Sequence, residues 1–332
     1  MPELPDIELY LHALRPRIVG QRVSRVRLAS PFLVRSIDPP IEAIAGREVT
    51  GLRRLGKRIV WDLDDDLFAI FHLMIAARFR WKEPAATIPG KVGLAAFDFP
   101  SGTLLLTEAG FRRRASLYLV RGLDALESHN PGGLEVLEST PRQFAAALRR
   151  ENHTIKRALT DPHLLSGIGN AYSDEILHAA KMSPTKLTAQ MTDMQIASLH
   201  TSAVRTLQMW RDRLVADAGA AFPEKVTAFR VGMAVHGRYR KPCPICATPV
   251  QRIRYAANEA NYCPTCQTGG KLLADRSLSR LLKGDWPRTL EDLERRRAEF
   301  NPRPEPSRAA PARPSQVVPR QERSARRSRE RR

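Results

Sequence analysis

The spacing of hydrophobic positions changes from helical to strand-like early in the chain. Ile7, Leu11 and Leu14 recur at helical intervals, which predicts a short amphipathic helix that begins after Pro5 and ends at Pro16. Later segments alternate apolar and polar residues, or form short apolar runs between turn residues, as β-hairpins do. The predicted strands cover residues 59–63, 67–73, 92–99, 103–107 and 115–120. We therefore expect a β-rich first half with a leading helix.

Helical spacing returns after the Asn-Pro-Gly-Gly turn at residues 130–133, where we place a domain boundary. The segment 238–275 differs, because short strands surround four cysteines there. The predicted helices of the second half cover residues 141–150, 155–159, 171–180, 192–215, 277–282 and 289–300. The predicted fold class is α+β. We divide the chain into a β-rich domain (1–132), a helical domain (133–237), a cysteine-containing segment (238–275), terminal helices (276–300) and a tail (301–332).

The charge balance changes this picture in two ways. Lys and Arg number 54 against 35 Asp and Glu, a formal net charge of +19, which favours a polyanionic partner. An ordinary basic protein without such a partner is the alternative. Residues 301–332 hold ten Arg and three Glu but almost no large apolar residue, so we expect a disordered basic tail there.

Targeting signals are not apparent in the sequence. The first residues lack the basic and apolar regions of a signal peptide, and no apolar run is long enough to span a bilayer. We expect an intracellular, cytoplasmic protein with no membrane partner. All four cysteines lie between residues 243 and 266, which argues against a disulfide framework.

The cysteines form two CxxC pairs, Cys243 with Cys246 and Cys263 with Cys266, separated by sixteen residues. Two such pairs place four thiolates tetrahedrally on one Zn²⁺. Four cysteines fill the coordination sphere, so the predicted zinc is structural, and a β-hairpin is expected between the pairs. A redox dithiol would explain one pair but not both. Taken alone, the module is also compatible with a ribosomal or transcription protein.

A second motif predicts an anion site at the start of a helix. Gly167 and Gly169 allow close approach of a phosphate, Asn170 occupies the expected N-cap position, and free amides follow it. Lys156 is a candidate to reach the same phosphate. An ordinary helix–helix turn capped by asparagine is the alternative interpretation of this run.

Four motifs occur in one chain and in one order: the start MPELPDIE, LGKRIV with Lys57, SGIGNAYSDEIL with Asn170, and the CPIC and CPTCQ pairs. Together they resemble the formamidopyrimidine-DNA glycosylase and endonuclease VIII family, over roughly residues 1–285. The resemblance implies an N-terminal β-sandwich, a helical domain with a helix-two-turns-helix motif, and a zinc-finger hairpin. It also implies that damaged double-stranded DNA lies in the cleft between them, bound by a monomer associated with the nucleoid.

The resemblance implies catalysis by Pro2, Glu3 and Lys57. Removal of Met1 would expose Pro2 as a secondary amine, with an ordinary pKa of roughly 8. Such an amine attacks C1′ of a damaged nucleoside and forms a Schiff base, from which the strand breaks by elimination. Glu3 is then the candidate general acid and base, and Lys57 the candidate partner of a phosphate or leaving oxygen. Without the other motifs, Pro2 would be an ordinary second residue and Lys57 a solvated strand end.

The chain departs from the family pattern at several DNA-binding positions. Asn258 stands where the family carries an Arg in the zinc-finger hairpin, which removes a fixed cation from the DNA phosphate. Ile75, beside Met74, occupies the place of a Met that fills the vacated duplex space, and Arg113 is the candidate from the second loop. Asp6 replaces a family Glu.

The leading hypothesis is a base-excision repair enzyme that removes oxidised bases such as formamidopyrimidines or 8-oxoguanine and cleaves the strand by β/δ-elimination. An enzyme acting mainly as a lyase on abasic sites, or as a glycosylase for oxidised pyrimidines, is the enzymatic alternative. A non-catalytic zinc protein that binds damaged DNA is the alternative from another class.

Overall fold

The computed structural model describes residues 1–110, 112–255, 258–274 and 285–300. Residues 1–290 form one compact unit. Its first helix is α1 (Leu4–Ile18), and its strands are β1 (Arg25–Leu28), β2 (Val49–Leu55), β3 (Arg58–Leu63), β4 (Leu67–His72), β5 (Ala77–Lys82), β6 (Gly93–Phe99), β7 (Gly102–Glu108) and β8 (Ser116–Arg121). There follow α2 (Leu123–Glu127), α3 (Pro141–Arg149), α4 (Ile155–Thr160), α5 (Asn170–Ala179), α6 (Asp193–Ala218), β9 (Gln251–Tyr255), β10 (Asn258–Tyr262) and α7 (Pro264–Thr268), and then α8 (Leu290–Phe300).

The first eight strands form a β-sandwich of two four-stranded sheets, with strand orders β1-β6-β7-β5 and β2-β3-β4-β8. Neighbouring strands are antiparallel throughout. Aromatic side chains join the sheets: the rings of Trp61 and Phe97 lie 5.1 Å apart, and those of Phe71 and Phe79 lie 5.4 Å apart. Edge-to-face contacts of this kind add to the burial of apolar area. The predicted α+β fold is confirmed.

The outer face of the second sheet is also buried in part, which explains its long apolar runs. Val60, Phe68 and Ile70 point away from the sandwich core and form a second cluster with Leu126 of α2. A strand covered on both faces does not alternate. The short helix α2 therefore accounts for the continuous apolar run of β4.

Helix α1 extends beyond the end that the sequence predicts. Pro16 lies inside the helix, which continues to Ile18, so the prediction that Pro16 ends it is wrong. Proline removes one backbone donor, but Val19 N still donates to Arg15 O at 3.2 Å, and Arg17 Nη1 donates to Ala13 O at 2.6 Å. These bonds keep the last turn helical.

The helical part packs against the sandwich through one continuous apolar core that includes Leu4, Trp61, Phe144 and Trp210. Its helices begin and end within a few residues of the predicted bounds, and α3 and α6 start with the capping threonines Thr140 and Thr192. The predicted helix at 277–282 and the predicted tail at 301–332 lie outside the described residues. Within the described part of the chain, no helix is both long and apolar enough to cross a membrane.

Candidate catalytic site and metal centre

The carboxylate of Glu3 lies against the N-terminus of α5, far away in the sequence. Its Oε2 accepts hydrogen bonds from Gly169 N at 2.7 Å and Tyr172 N at 3.1 Å, and its Oε1 accepts one from Ala171 N at 2.8 Å. Glu3 is 2% exposed. A helix start with free amides and a positive dipole end is suited to an anion, and here a carboxyl side chain of the same molecule occupies that place.

Two glycines permit this approach. A Cβ on Gly169 would lie 2.5 Å from Glu3 Cδ, closer than the two atoms can come. Gly167 has φ +78°, a conformation that favours glycine, and its carbonyl accepts a 2.9 Å hydrogen bond from Leu4 N. The prediction that these glycines make room for a phosphate needs correction, because the group they admit is the amino-terminal segment.

Gly169, not Asn170, is the N-cap of α5, so the N-cap prediction for Asn170 is wrong. Asn170 is the first residue of the helix, is half-buried, and uses its carbonyl to accept a hydrogen bond from Lys156 Nζ at 2.7 Å. The amides that were expected to face a phosphate are taken by Glu3. The contact of Asn170 with DNA stays a prediction.

The prediction that Lys156 offers a free cation to a phosphate is wrong. Its side chain is 4% exposed, and Nζ forms an ion pair with Asp174, whose side chain is fully buried. The reason is the register of α4 against α5, which turns Lys156 inward. Pairing neutralises the ammonium, since a buried cation is tolerated only beside a compensating charge.

Glu3 and Lys57 influence each other electrostatically. Burial raises the pKa of Glu3, and the Lys57 cation and the backbone donors of Ala171 and Tyr172 oppose the shift. Burial lowers the pKa of Lys57, and Glu3 opposes that shift. The structure therefore brings together a carboxyl that holds its proton more readily and an amine that loses its proton more readily than ordinary side chains. This combination is suited to proton transfer.

The amino terminus lies in the same site. Pro2 is buried. Burial is the largest cause of a lowered pKa at the Met1 amine; Glu3 opposes the shift, and the cations of Arg78 and Lys57 reinforce it. The amino-terminal segment with Pro2 therefore lies near Glu3 and Lys57, as the resemblance implies. The catalytic roles of these three residues stay predictions.

Arg54 holds the turn that carries Lys57. Its Nη1 donates to Gly56 O at 3.0 Å, its Nε donates to Glu8 Oε1 at 3.1 Å, and its guanidinium pairs with Glu135 of the helical part. A bidentate guanidinium fixes direction as well as charge. The LGKRIV motif is thereby tied to both α1 and the helical part.

Asp6, which the sequence analysis noted only as a departure from the family pattern, contacts Glu3 directly. Asp6 Oδ2 accepts a 2.9 Å hydrogen bond from Glu3 N, and its other oxygen pairs with Arg230, from the segment that follows α6. Burial raises the pKa of Asp6, and Arg230 opposes the shift. The Asp6–Arg230 pair therefore fixes the backbone at Glu3. No local signal in the sequence links two residues so far apart.

His72, at the end of β4, was missed by the sequence analysis. Burial lowers its pKa to about 4, and the cations of Arg58 and Lys57 add to the shift. The imidazole is therefore neutral at neutral pH beside two cations. A titratable residue at the end of a strand next to the candidate site was a signal that sequence reasoning could have used.

The candidates for the vacated duplex space lie in two turns of the sandwich. Ile75 is 61% exposed in the turn between β4 and β5, and Met74 before it has φ +50°. Arg113 is exposed, and its Nη2 donates to Lys91 O at 2.7 Å. The buried carboxylate of Glu108 anchors the second turn by accepting backbone bonds from the residues after Arg113. Contacts of Ile75 and Arg113 with DNA stay predictions.

The β-hairpin predicted between the cysteine pairs is confirmed as β9 and β10. Asn258 begins β10 and pairs with Tyr255 in the ladder. Its contact with DNA stays a prediction.

The four cysteines converge as a metal site requires. The sulfur atoms of Cys243, Cys246, Cys263 and Cys266 all lie within 4.8 Å of one another. The Sγ–Sγ distances include 4.0 Å for Cys243–Cys266 and 3.4 Å for Cys266–Cys246. Zinc bound at roughly 2.3 Å by four thiolates separates them by roughly 3.8 Å. The site fits one structural Zn²⁺ with no coordination position left for a substrate.

Helix α5 carries the contacts that fasten the zinc centre and its hairpin. Glu175 accepts backbone hydrogen bonds of 2.7–2.9 Å from residues 234–236, and Asp174 accepts bonds from His236 Nδ1 and Asn261 Nδ2. His178 Nε2 lies 3.2 Å from Cys243 Sγ. The helix that holds Glu3 at its start therefore also positions the metal centre.

Three family models match the chain in succession. The formamidopyrimidine-DNA glycosylase N-terminal domain matches residues 1–114, and the H2TH domain of formamidopyrimidine-DNA glycosylase matches residues 134–210. A zinc finger found in FPG and IleRS matches residues 240–269. These segments are the sandwich, the helical part and the zinc centre.

Relatives and solved structures agree with these matches. The formamidopyrimidine-DNA glycosylase of Moorella thermoacetica is 31% identical over 267 residues, 76% of this chain and 95% of the relative. An uncharacterized formamidopyrimidine-DNA glycosylase-like protein of Mycobacterium tuberculosis is 40% identical over 151 residues, 46% of this chain and 94% of that protein.

The structure of a Lactococcus lactis Fpg mutant in complex with a Fapy-dG containing DNA matches with a TM-score of 0.71 and 26% identity, over 80% of this chain and 100% of that one. A second L. lactis Fpg structure, bound to DNA containing an AP site, matches with a TM-score of 0.70 and 25% identity, over 80% and 99% of the two chains. The chain therefore belongs to the formamidopyrimidine-DNA glycosylase and endonuclease VIII family, as a DNA-binding glycosylase of damaged bases with one structural zinc.

Proposed function

We propose that the protein removes oxidised bases of the formamidopyrimidine and 8-oxoguanine class from double-stranded DNA and then cleaves the strand at the resulting abasic site. The observation that carries the proposal is the buried Glu3 carboxylate, held by three backbone donors beside the amino terminus. The names of the relatives and the DNA in the matching structures support the substrate class.

In the first step, the nitrogen of Pro2, freed by loss of Met1, forms a bond to C1′ while the bond from C1′ to the base breaks. The base leaves with the bonding electron pair and takes up the proton that the Pro2 nitrogen loses. The sugar ring opens to an iminium at C1′, and the carboxyl of Glu3 gives its proton to the ring oxygen. The raised pKa of Glu3 keeps that proton available, because burial disfavours the charged form.

In the second step, the iminium acidifies C2′, which loses a proton as the 3′ phosphate leaves. A second elimination releases the 5′ phosphate. Hydrolysis of the iminium then returns the Pro2 amine. Lys57 lies close enough to Glu3 to influence its charge and supplies a cation for a phosphate or a leaving oxygen. Donors fixed in advance at developing negative charge lower the barrier.

Borohydride trapping tests this mechanism directly. Reduction of the iminium converts it to a stable amine, so the Met1-processed protein should become cross-linked to an abasic strand, with the link at residue 2 by peptide mass. Glu3→Gln should keep DNA binding and lower single-turnover excision by roughly two to four orders of magnitude, the range for one general acid or base. Absence of a trapped complex would overturn the mechanism and favour a non-catalytic damage-binding protein.

A second candidate, a lyase that acts mainly on abasic sites, is favoured by Asn258. An asparagine offers a neutral hydrogen bond where the family provides a cation, so eversion of an intact lesion loses support, while an abasic site needs no eversion. The decisive comparison is the cleavage rate on abasic DNA against a panel of single-lesion duplexes that includes oxidised pyrimidines. If Asn258→Arg raises excision of an intact lesion but not cleavage of an abasic site, the missing cation is the cause.

We further propose that the protein acts as a cytoplasmic monomer, associated with the nucleoid when bound to DNA. The basic net charge supports binding through phosphates. Sedimentation of the free protein and of its complex with a lesion duplex tests the monomer, and a fluorescent fusion tests the location.

A further inference from the structure

His178 makes a contact that the catalytic mechanism does not use. It lies near the end of α5, it is 3% exposed, and its Nε2 lies 3.2 Å from the Sγ of Cys243, which is also 3% exposed. The two residues are 65 positions apart. The contact therefore joins the helical part to the first cysteine knuckle, the turn that carries Cys243 and Cys246. It lies inside the protein, where water does not compete for either atom.

The charge of the metal site determines the direction of this contact. Cysteine binds zinc as the thiolate, which carries no proton and can only accept a hydrogen bond. A sulfur ligand at 3.2 Å from Nε2 therefore requires the proton to sit on Nε2. Four thiolates on one Zn²⁺ leave a net negative charge, and a buried negative charge needs donors to compensate its lost hydration.

The two cysteine knuckles do not supply a backbone hydrogen-bond donor to each of the four sulfur atoms in the same way. The backbone N–H of Cys266 donates to Cys263 Sγ at 3.5 Å, as expected for a turn around a metal. The imidazole of His178 reaches Cys243 Sγ from outside these turns. Partners behind metal ligands fix ligand orientation and tune how tightly the metal is held.

We propose that His178 donates a hydrogen bond from Nε2–H to the zinc-bound thiolate of Cys243, and that this bond slows the loss of zinc and locks the first knuckle to α5. His178 is thus a positioning residue that couples occupation of the metal site to the helix whose first turn binds Glu3. His178 lies one helical turn beyond Asp174, which accepts a hydrogen bond from Asn261 of the hairpin. The contacts of Asp174 and His178 therefore lie on the same face of α5.

A magnetic resonance experiment on the full-length protein tests the bond without a mutation. With ¹¹³Cd in place of zinc and ¹⁵N-labelled histidine, a proton that bridges Nε2 and a metal-bound sulfur couples to the cadmium nucleus. We expect one imidazole proton among the eight histidines to show a cross-peak to ¹¹³Cd, lost in His178→Gln. No imidazole cross-peak in the folded, cadmium-loaded protein would overturn the proposal.

Zinc release provides the second measurement. His178→Phe removes the donor but keeps a buried ring. Loss of such a partner typically lowers metal affinity 10–100-fold, and a weaker site releases its metal sooner, so the variant should release zinc to a chromogenic chelator about 10–100-fold faster. His178→Gln keeps an N–H donor and should restore part of the retention. His200→Phe, which removes a buried imidazole bonded to Ser139, is the matched control and should release zinc like the parent protein. Equal release rates for His178→Phe and the parent would overturn the proposal.

Discussion

The carboxylate of Glu3 accepts a 2.7 Å hydrogen bond from the backbone N–H of Gly169, 166 residues further along the chain. This contact places a candidate catalytic group of the amino terminus at the positive end of a helix in the other half of the protein. The candidate active site therefore exists only when the sandwich and the helical part are packed together. Packing of the two halves and assembly of the site are the same event.

Substitution of Gly169 should damage activity more than stability. In Gly169→Ala the added Cβ would meet the carboxyl of Glu3 at 2.5–2.6 Å, so Glu3 must leave its backbone donors. We expect single-turnover excision to fall by roughly two orders of magnitude or more, as when a positioned acid or base is lost. Gly90→Ala is the control, because open space surrounds that position. Equal excision rates in the two variants would show that the position of Glu3 does not matter.

Loss of Lys156 should affect stability more than the salt dependence of DNA binding. Lys156→Ala leaves the buried Asp174 carboxylate without its cation, which costs about 3–5 kcal/mol in comparable buried pairs. Since Asp174 already neutralises the ammonium, the slope of log affinity against log salt should not change. Urea unfolding and binding titrations measure the two quantities.

Arg157→Ala serves as the matched control for Lys156. Arg157 is exposed on the same helix, so its loss should leave the free energy of unfolding nearly unchanged. The opposite outcome is also defined. If Lys156→Ala lowers the slope of log affinity against log salt by about one unit and leaves the free energy of unfolding unchanged, Lys156 contacts a DNA phosphate.

His72 should make the protein less stable as the pH falls from about 6.5 to about 4. Its pKa in the folded protein is about 4, below the ordinary 6.5, so in this range the unfolded chain binds a proton that the folded protein does not. The folded state loses up to about 3 kcal/mol across this window. His72→Asn should flatten the dependence in this range. Unfolding free energies measured at several pH values test it, with His12→Asn, an exposed histidine, as the control.

Removal of one zinc ligand should disrupt the hairpin between the cysteine pairs and weaken DNA binding. Elemental analysis of the protein should give about one zinc per chain, and Cys263→Ser should reduce that content together with the affinity for DNA. Ile245→Ala, a substitution of an exposed side chain inside the first knuckle, should retain both. Full DNA affinity in a zinc-free Cys263→Ser protein would contradict a structural role of the metal.

The sequence pattern located the inner strands of the sandwich but not three of its edge strands. β3, β4, β6 and β7 have neighbours on both sides and consist largely of buried residues, so their apolar runs stand out. β1, β2 and β5 lie at sheet edges and were missed for two reasons. β1 and β5 alternate apolar residues with basic ones, but only over four and six residues, and β2 shows neither alternation nor an apolar run. Edge strands carry such charges because an apolar edge would invite pairing with other chains.

The candidate site was predictable where a local motif encodes it. Cysteine spacing was sufficient for the metal centre, and the glycine-rich run was sufficient for an anion site at a helix start. The occupant of that anion site was not predictable, because Glu3 reaches it through the packing of distant segments. The inward turn of Lys156 and the Asp6–Arg230 pair depend on tertiary contacts in the same way.

Helix α5 has only ten residues, yet it makes three separate sets of contacts. Its first turn receives Glu3, its middle neutralises Lys156 and binds the segment before the first knuckle, and His178 touches a metal ligand. Single changes in this helix should therefore be pleiotropic, and pairs of changes should combine with strong epistasis. In a saturation screen for survival of oxidative stress, α5 should be among the least tolerant segments, with few positions whose effect belongs to repair chemistry alone.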